Sequence, residues 1–412
     1  MKILYIIHQF YPEYHTGTEK FVLNIASMTQ KAGNKVKIIT YSLRDDSVFD
    51  KNGGNILYRN YSYQGIPVLA FKYKNQPDDI HIALENKSLK GFASKVLIEE
   101  SPDLIHVGHP MRVHQFIWEA QNIGVPYVMT LTDFFMICPK YILAPDDHSL
   151  CSGPQGGKAC ELLCKEFSNS FIKKRLIQSE KLLSNARAII SPSKFLSTMI
   201  KNEFKNLEIK IINHGIDQRY IKQNQNKYDR NSKITFGYAG SLIHHKGVYI
   251  LLKAFNQICS DNVKLEIYGS GLKIYEDYLK NIVSNNNKVT FHGKYTKEQL
   301  GEIMQNIDVL VTPSIWYENY PLVLHEALAS GVPVIATDLG GMAEKIKNGK
   351  NGYTFSYGDL EDLKKTLQFI IENPLILNNI KKFIQRNMVI PKIEQEAYEY
   401  HLLYNQNQKS RT

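Results

Sequence analysis

The chain has 412 residues, of which 43% are hydrophobic and 22% charged, a length beyond what one hydrophobic core usually supports and a composition that excludes a coiled coil or long disordered tracts. Its 50 Lys and Arg against 40 Asp and Glu leave a formal charge of +10, which fits anionic ligands, an anionic membrane surface or a Lys-rich solvated face. No helix-turn-helix, zinc-finger or RNP-like pattern is visible, so nucleic acid is not an expected partner.

The run Lys2-Ile3-Leu4-Tyr5-Ile6-Ile7 is too short to span a bilayer and has no small-residue cleavage site behind it, so it reads as a first strand and the cytoplasm is the expected address. Apolar runs of strand length then alternate with segments of helical period, which predicts parallel sheets covered by helices. In the first half strands are expected at 2–7, 35–41, 104–107, 127–131 and 188–191. A helix over 18–32 places Phe21, Val22, Ile25 and Ala26 on one stripe and stops at Gly33. In the loop ahead of it, Gly17 can let backbone approach a phosphate closely, while Glu13, Tyr14 and His15 are candidates for touching an acceptor or for plain loop exposure.

Residues 132–165 carry Cys, Gly, Pro and Asp without periodicity and read as an insertion. Four of the five cysteines lie there: Cys138, Cys151, Cys160 and Cys164. In a reducing compartment they are expected to hold a structural zinc rather than to pair as disulfides, with ordinary free thiols as the alternative and an iron–sulfur cluster behind both. In the helix that follows, Lys165, Lys173, Lys174, Arg175 and Lys181 alternate with Phe167, Phe171, Leu176, Ile177 and Leu182. That pattern suits contact with anionic lipid headgroups at the inner face of a membrane, or packing on the helix's own domain.

A polar stretch at 218–233, rich in Asn, Gln and Lys, is expected as a linker between a first domain over 1–217 and a second over 234–390. Residues 391–412 read as a C-terminal helix returning to the first domain. The second domain repeats the alternation, with strands at 234–238, 264–268, 289–291, 309–311 and 334–336 and helices at 248–259, 297–306 and 321–330. Pro321 fits the first turn of the last helix, where its missing N–H is not needed. The N–H groups of Leu322 and Val323 then make a site suited to a diphosphate. Glu326, among apolar neighbours, needs hydrogen-bond donors that the vicinal hydroxyls of a ribose would supply. Glu318, in the preceding loop with Asn319 and Tyr320, could meet a sugar at the far end of that diphosphate. Taken alone, the two glutamates also have a plain structural explanation, Glu326 paired with a nearby lysine and Glu318 simply exposed.

Glu318 and Glu326 together, followed by Ala329-Ser330-Gly331-Val332-Pro333 and Gly340-Gly341-Met342-Ala343-Glu344, resemble the E-x7-E segment of the retaining glycosyltransferases of family four. Residues 212–217 are similar to the linking segment of that family and Gly352-Tyr353 to its continuation. The resemblance implies the GT-B architecture: two Rossmann-like, doubly wound α/β domains facing a central cleft, the first for an acceptor and the second for a nucleotide sugar. Residues 237–247 resemble the family's second phosphate loop, which implies that Gly240, Ser241 and Lys246 meet the donor pyrophosphate. Lys246 and Glu318 are then the catalytic candidates. Ser241 stands where the family often has Arg, so one cation is missing. Gly293 and Lys294, within 291–295, would lie against the nucleotide base without revealing which base it is.

Thr132-Asp133 stands where the family often has His-Asp, with the His reaching the donor sugar, and His109 is either an alternative ligand or a satisfied structural histidine. The implied reaction moves a sugar, with its anomeric configuration retained, from a UDP or GDP type donor to a glycan or lipid-linked saccharide in surface polysaccharide or glycoconjugate synthesis. The departing phosphate would help to deprotonate the acceptor, and no catalytic metal is expected. Rival readings are a nucleotide-sugar epimerase, a sugar phosphorylase and a degenerate glycan-binding subunit. The spacing of Glu318 and Glu326 favours transfer, no pyridoxal phosphate lysine context supports a phosphorylase, and the presence of Lys246 beside both glutamates weighs against degeneracy.

Overall fold

The computed structural model describes residues 1–147 and 149–406. They form two compact units, one made of Met1–His214 with the chain from Ile393 onward, the other of Gly215–Lys392. The last residues expected in the C-terminal helix, 407–412, lie outside the described residues. Among the described residues no helix is long and apolar enough to cross a membrane.

In the first unit the strands are β1 (Lys2–Ile7), β2 (Lys35–Tyr41), β3 (Lys51–Gly53), β4 (Ile56–Tyr63), β5 (Ile66–Tyr73), β6 (Leu104–Val107), β7 (Tyr127–Thr130), β8 (Ala188–Ser191) and β9 (Ile209–Ile211). They lie in the order β3-β4-β5-β2-β1-β6-β7-β8-β9. Pairing is parallel from β5 to β9, whereas β3, β4 and β5 form an antiparallel ribbon. The apolar run Ile3–Ile7 is fully buried between neighbours on both sides, as central parallel strands require. Six helices cover the faces: α1 (Gly17–Lys31), α2 (Lys90–Glu100), α3 (His114–Asn122), α4 (Lys158–Leu163), α5 (Asn169–Ser184) and α6 (Lys194–Glu203). The hairpin of β4 and β5 has no counterpart in the sequence reading; its turn residues Gln64 and Gly65 both take positive φ, the geometry of a tight two-residue hairpin turn.

The second unit is a six-stranded parallel sheet of β10 (Ile234–Ala239), β11 (Val263–Tyr268), β12 (Val289–Gly293), β13 (Val309–Thr312), β14 (Val334–Thr337) and β15 (Gly352–Phe355) in the order β12-β11-β10-β13-β14-β15. Its helices are α7 (Val248–Asn256), α8 (Lys273–Ile282), α9 (Leu300–Asn306), α10 (Leu322–Ala329), α11 (Gly340–Ala343), α12 (Leu360–Glu372) and α13 (Ile376–Asn387). Ile234, Phe236, Leu251, Leu265, Val309 and Ile335 are fully buried at its centre.

The polar stretch 218–233 differs from the linker expected there. Asn224 is 1% exposed and its amide donates to the carbonyls of Met304 and Ile307, while its own oxygen accepts from Lys381. Asn226 and Tyr228 both donate to Asp308. Asn224 and Tyr228 are buried hydrogen-bond partners around the α9 to β13 connection, so part of a stretch whose composition reads as solvated is built into the unit. The chain then leaves the second unit, and the last helix, α14 (Ile393–Asn405), packs in the first. There the Tyr404 hydroxyl bonds Tyr5 and His106, and the Tyr400 hydroxyl bonds Thr130.

In both sheets the strand order reverses beside the first strand of the unit, between β1 and β6 and between β10 and β13. Loops leaving the carboxyl ends of those strand pairs diverge to opposite faces, and ligands of open α/β sheets bind in the crevice they leave.

Candidate active site

In the second unit the two loops at the reversal point are those after β10 and after β13. The first ends in the short turn His244–Lys246, closed by Gly247 at φ 67°. A Cβ at Gly247 would lie 1.9 Å from the Pro313 carbonyl oxygen, so only glycine lets this turn lie against the second loop. The Ile315 N–H donates to the His245 carbonyl and locks the two together.

That junction brings Lys246 to Glu318, Nζ to Oε1, at 2.5 Å. Ser314 Oγ and Trp316 Nε1 donate to the same oxygen at 2.8 and 2.7 Å, and the Lys246 ammonium lies 5.3 Å from the Trp316 ring centroid. Glu318 is buried. Burial alone would raise its carboxyl, but the Lys246 charge and the three donors outweigh that cost and hold it below the usual carboxylate range. All three donors converge on Oε1, so Oε2 has no hydrogen-bond partner among the described residues. One of the three ammonium hydrogens of Lys246 serves Glu318 and two remain.

Pro321 caps α10 from outside and Leu322 is the first helical residue, one position later than the sequence reading. The N–H groups of Leu322 and Val323 are therefore at the helix mouth without intrahelical acceptors. Just ahead, Gly341 donates its N–H to the Glu318 carbonyl at 2.6 Å, and a Cβ there would lie 2.2 Å from the Asn319 carbonyl oxygen. Tyr320 is buried and stacks on His325 at 3.8 Å.

Glu326 is half-buried on α10. Burial first and the Glu326 charge second raise the Tyr295 phenol, which places Tyr295 within electrostatic reach of Glu326. Tyr295 in turn borders an open pocket of about 290 Å³ with Tyr268, His292, Gly293, Lys294 and Gln299. The imidazole of His292 lies flat on Tyr268 at 4.3 Å and is held by Glu266 at 2.6 Å. Gly240 and Ser241 open the loop after β10; Ser241 is exposed and its carbonyl accepts from Tyr238.

In the first unit the loops at the reversal point follow β1 and β6. His109, 2% exposed, accepts the Met111 N–H at Nδ1 and therefore carries its proton at Nε2, which faces Asp133 Oδ2 at 2.9 Å. Asp133 Oδ1 accepts the Phe135 N–H. Both ring nitrogens of His109 are thus satisfied, and it orients the Asp133 carboxylate rather than offering itself to a ligand. Its ring also lies against that of His8, tilted by 41° with centroids 4.1 Å apart. Thr132 is half-buried beside them. His15 and Gly17 are exposed at the start of α1, and the carboxylate of Glu19 takes the Thr16 N–H and hydroxyl there, already opposing the positive end of that helix. Sequence reasoning missed Ser314, Trp316 and His8, because what marks them is convergence in space.

The four cysteines that the sequence reading offers to a structural zinc come together around one cavity. Cys138, Cys151, Cys160 and Cys164 are all buried and free and line one small cavity with Ile137, Leu143 and other apolar groups. Among the described residues no group of three or more metal-binding side chains is arranged to hold an ion. Burial pushes the Cys160 thiol up to about 12 and the Cys164 thiol up to about 11, so with no metal bound these two thiols are protonated at neutral pH. On α5, Arg175 is buried, its guanidinium donating to the carbonyls of Ile82 and Phe135. Lys173, Lys174, Ile177 and Lys181 are exposed, at spacings that put them on one helix face.

Residues 220–387 match the family model of glycosyl transferases group 1. An uncharacterized glycosyltransferase of Methanocaldococcus jannaschii is 30% identical over 192 residues, which are 46% of this chain and 51% of that protein. The chain spans about half the length of the curated relatives it matches. Among solved structures, sucrose-phosphate synthase from Thermosynechococcus elongatus has a TM-score of 0.71 at 18% identity, with 99% of each chain covered. The Anabaena HepE protein in complex with UDP and glucose has a TM-score of 0.67 at 20% identity, covering 97% of this chain and 98% of that one. The expected GT-B fold class is shown by these likenesses, and the match to the group 1 glycosyl transferase model runs through the second unit from ahead of β10 to the end of α13.

Proposed function

We propose that this chain is a retaining glycosyltransferase that moves a hexose from a nucleotide diphosphate sugar, UDP first among the candidates, to a glycan or lipid-linked saccharide. The observation that carries the reading is the meeting of Lys246 and Glu318 at the β10/β13 reversal point, directly ahead of the open N-terminus of α10. A cation, two free backbone N–H groups and a carboxylate oxygen without a partner are what a sugar diphosphate needs.

In this reading the second unit holds the donor and the first unit the acceptor. The nucleoside end occupies the pocket beside Gly293, Lys294 and Tyr295, with Glu326 on the ribose. The diphosphate meets Lys246, Gly240, Ser241, Leu322 and Val323, and the Glu318 Oε2 accepts from a hydroxyl of the donor sugar. The anomeric C–O bond to the diphosphate breaks with its electron pair on the leaving oxygen. The acceptor oxygen bonds the same carbon from the same face, and its proton passes to the departing phosphate. Lys246 and the helix N-terminus stabilise the charge that develops there, so catalysis is positioning and electrostatics. UDP is favoured as the donor nucleotide because the HepE likeness was solved with UDP and glucose.

Calorimetry with UDP, GDP and ADP tests the reading. One nucleotide family should bind, and Glu326→Ala should weaken it at least tenfold by leaving the ribose hydroxyls unpaired. Folded protein that binds none of the three refutes it. Proton NMR of the product, matching or inverting the donor's anomeric configuration, decides retention.

A further inference from the structure

Arg112 stands on the loop after β6, at the reversal point of the first sheet. Its backbone has φ 65°, the left-handed region that an arginine rarely adopts and that persists where the surroundings over-determine it, commonly at functional sites. The guanidinium is half-buried. Nε donates to His81 Nδ1 at 3.0 Å and Nη1 to the His8 carbonyl at 3.4 Å, and the group lies 5.8 Å from the Tyr41 ring centroid. Nη2 has no hydrogen-bond partner and the side chain no ion-pair partner among the described residues.

The charges around it sharpen the point. The groups that act on Arg112 electrostatically are the phenols of Tyr14, Tyr41 and Tyr141, and burial lowers its pKa. On the loop after β7, the Asp133 carboxylate is taken up by His109 and Phe135. His8, on the other side of the crevice, is held far below the ordinary histidine range by burial, by His109 and by Arg112, and its Nδ1 is buried without a partner. A desolvated guanidinium is expected to be matched by an anion, and the planar fork of arginine fits a carboxylate or phosphate oxygen pair.

We infer that Arg112 is the recognition point for an anionic group on the acceptor, a phosphate or a sugar carboxylate, bound in the β1/β6 crevice of the first unit. The inference rests on the proposed transfer for the word acceptor, and on the geometry of Arg112 for the anion.

The test is titration calorimetry of pyrophosphate, glucuronic acid and glucose into the whole protein, with and without saturating UDP, for the wild type, Arg112→Gln and Arg112→Lys. Pyrophosphate or glucuronate should bind the wild type with UDP present, at least tenfold more weakly to Arg112→Gln at an unchanged melting temperature, with Arg112→Lys recovering part of the loss. Which of the two probes binds identifies the source of the charge. The inference is overturned if neither anion binds the wild type, if Arg112→Gln binds both equally well, or if binding is lost only together with a fallen melting temperature. Absence of UDP binding by the wild type counts instead against the proposed function, since the comparison of Arg112 variants without UDP still reads the anion site.

Discussion

Replacing Lys246 by Met strands the Glu318 carboxylate in a buried site. Removing one partner of a buried pair costs about 3–5 kcal/mol. Here the Lys246 side chain is 25% exposed, and Ser314 and Trp316 still donate to Oε1, which lowers the expected loss to about 2–3 kcal/mol at pH 7. For a unit the size of Gly215–Lys392 that corresponds to a fall in melting temperature of about 5–10 °C. The pH dependence carries the sign. In the wild type the Glu318 pKa is depressed, so its contribution is complete above the unfolded carboxylate pKa and is lost as pH falls through the folded value.

In Lys246→Met burial is opposed only by the Ser314 and Trp316 hydrogen bonds, the folded pKa is expected to rise above the unfolded one, and the penalty is relieved on acidification. The gap between wild type and variant, read by differential scanning calorimetry, should therefore narrow from pH 7 toward pH 4. The double variant Lys246→Met/Glu318→Gln should recover about 1 kcal/mol or more at pH 7, because the stranded group is then neutral. A gap that is independent of pH, with strictly additive losses in the double variant, would refute the pairing. Turnover should fall with the charge, by about 10²–10³ in kcat, and unchanged turnover would remove Lys246 from the reaction.

Gly341→Ala should push the Glu318–Asn319 backbone away and break the Gly341 N–H bond, costing about 2 kcal/mol or more and weakening nucleotide binding together with stability; a variant equal to wild type in both would show that the loop tolerates displacement. Thiol titration with Ellman's reagent should find fast reaction at the exposed Cys259 alone, and at all five cysteines only in denaturant. Rapid modification of Cys160 or Cys164 in the native protein would contradict their burial. If the exposed face of α5 meets anionic lipid, the protein should sediment with phosphatidylglycerol vesicles and not with phosphatidylcholine, and Lys173→Glu/Lys174→Glu should abolish it; equal binding to both vesicles would exclude the electrostatic contact.

Much of both sheets is legible because their central strands are buried on two faces and so read as continuous apolar runs, as in β1 and β13. The ribbon of β4 and β5 escapes that signal. Its β4 strand is half-exposed and follows Ile56 and Leu57 with Arg59, Asn60 and Ser62, whereas the buried apolar run Val68-Leu69-Ala70-Phe71 of β5 is a strand signal that the sequence reading passed over. The stretch 218–233 escapes for the opposite reason: Asn224 is polar by composition yet buried, donating to carbonyls that sequence cannot locate, and Asn226 beside it donates to the Asp308 carboxylate.

The same distinction separates the legible from the illegible part of the site. Lys246, Glu318 and Glu326 stand out through spacing and family resemblance, but the partners that fix Glu318 do not. Lys246 reaches Glu318 because Gly247 takes a positive φ and allows the two loops to touch across the 66 residues from Gly247 to Pro313, while Ser314 and Trp316 converge on the same oxygen from within the loop of Glu318 itself. Arg112 is the clearer case. As a letter it is one of the 50 basic residues behind the +10 charge, and most of those reside on a solvated surface where charge says little about ligands. Only the structure separates it from them, through a strained backbone, partial desolvation and the lack of a carboxylate. An excess of positive charge therefore points to a ligand where a cation is desolvated and left unpaired, and at Lys246 and Arg112 the chain supplies opposite answers: the first is matched internally and shares its remaining hydrogens, the second awaits its anion.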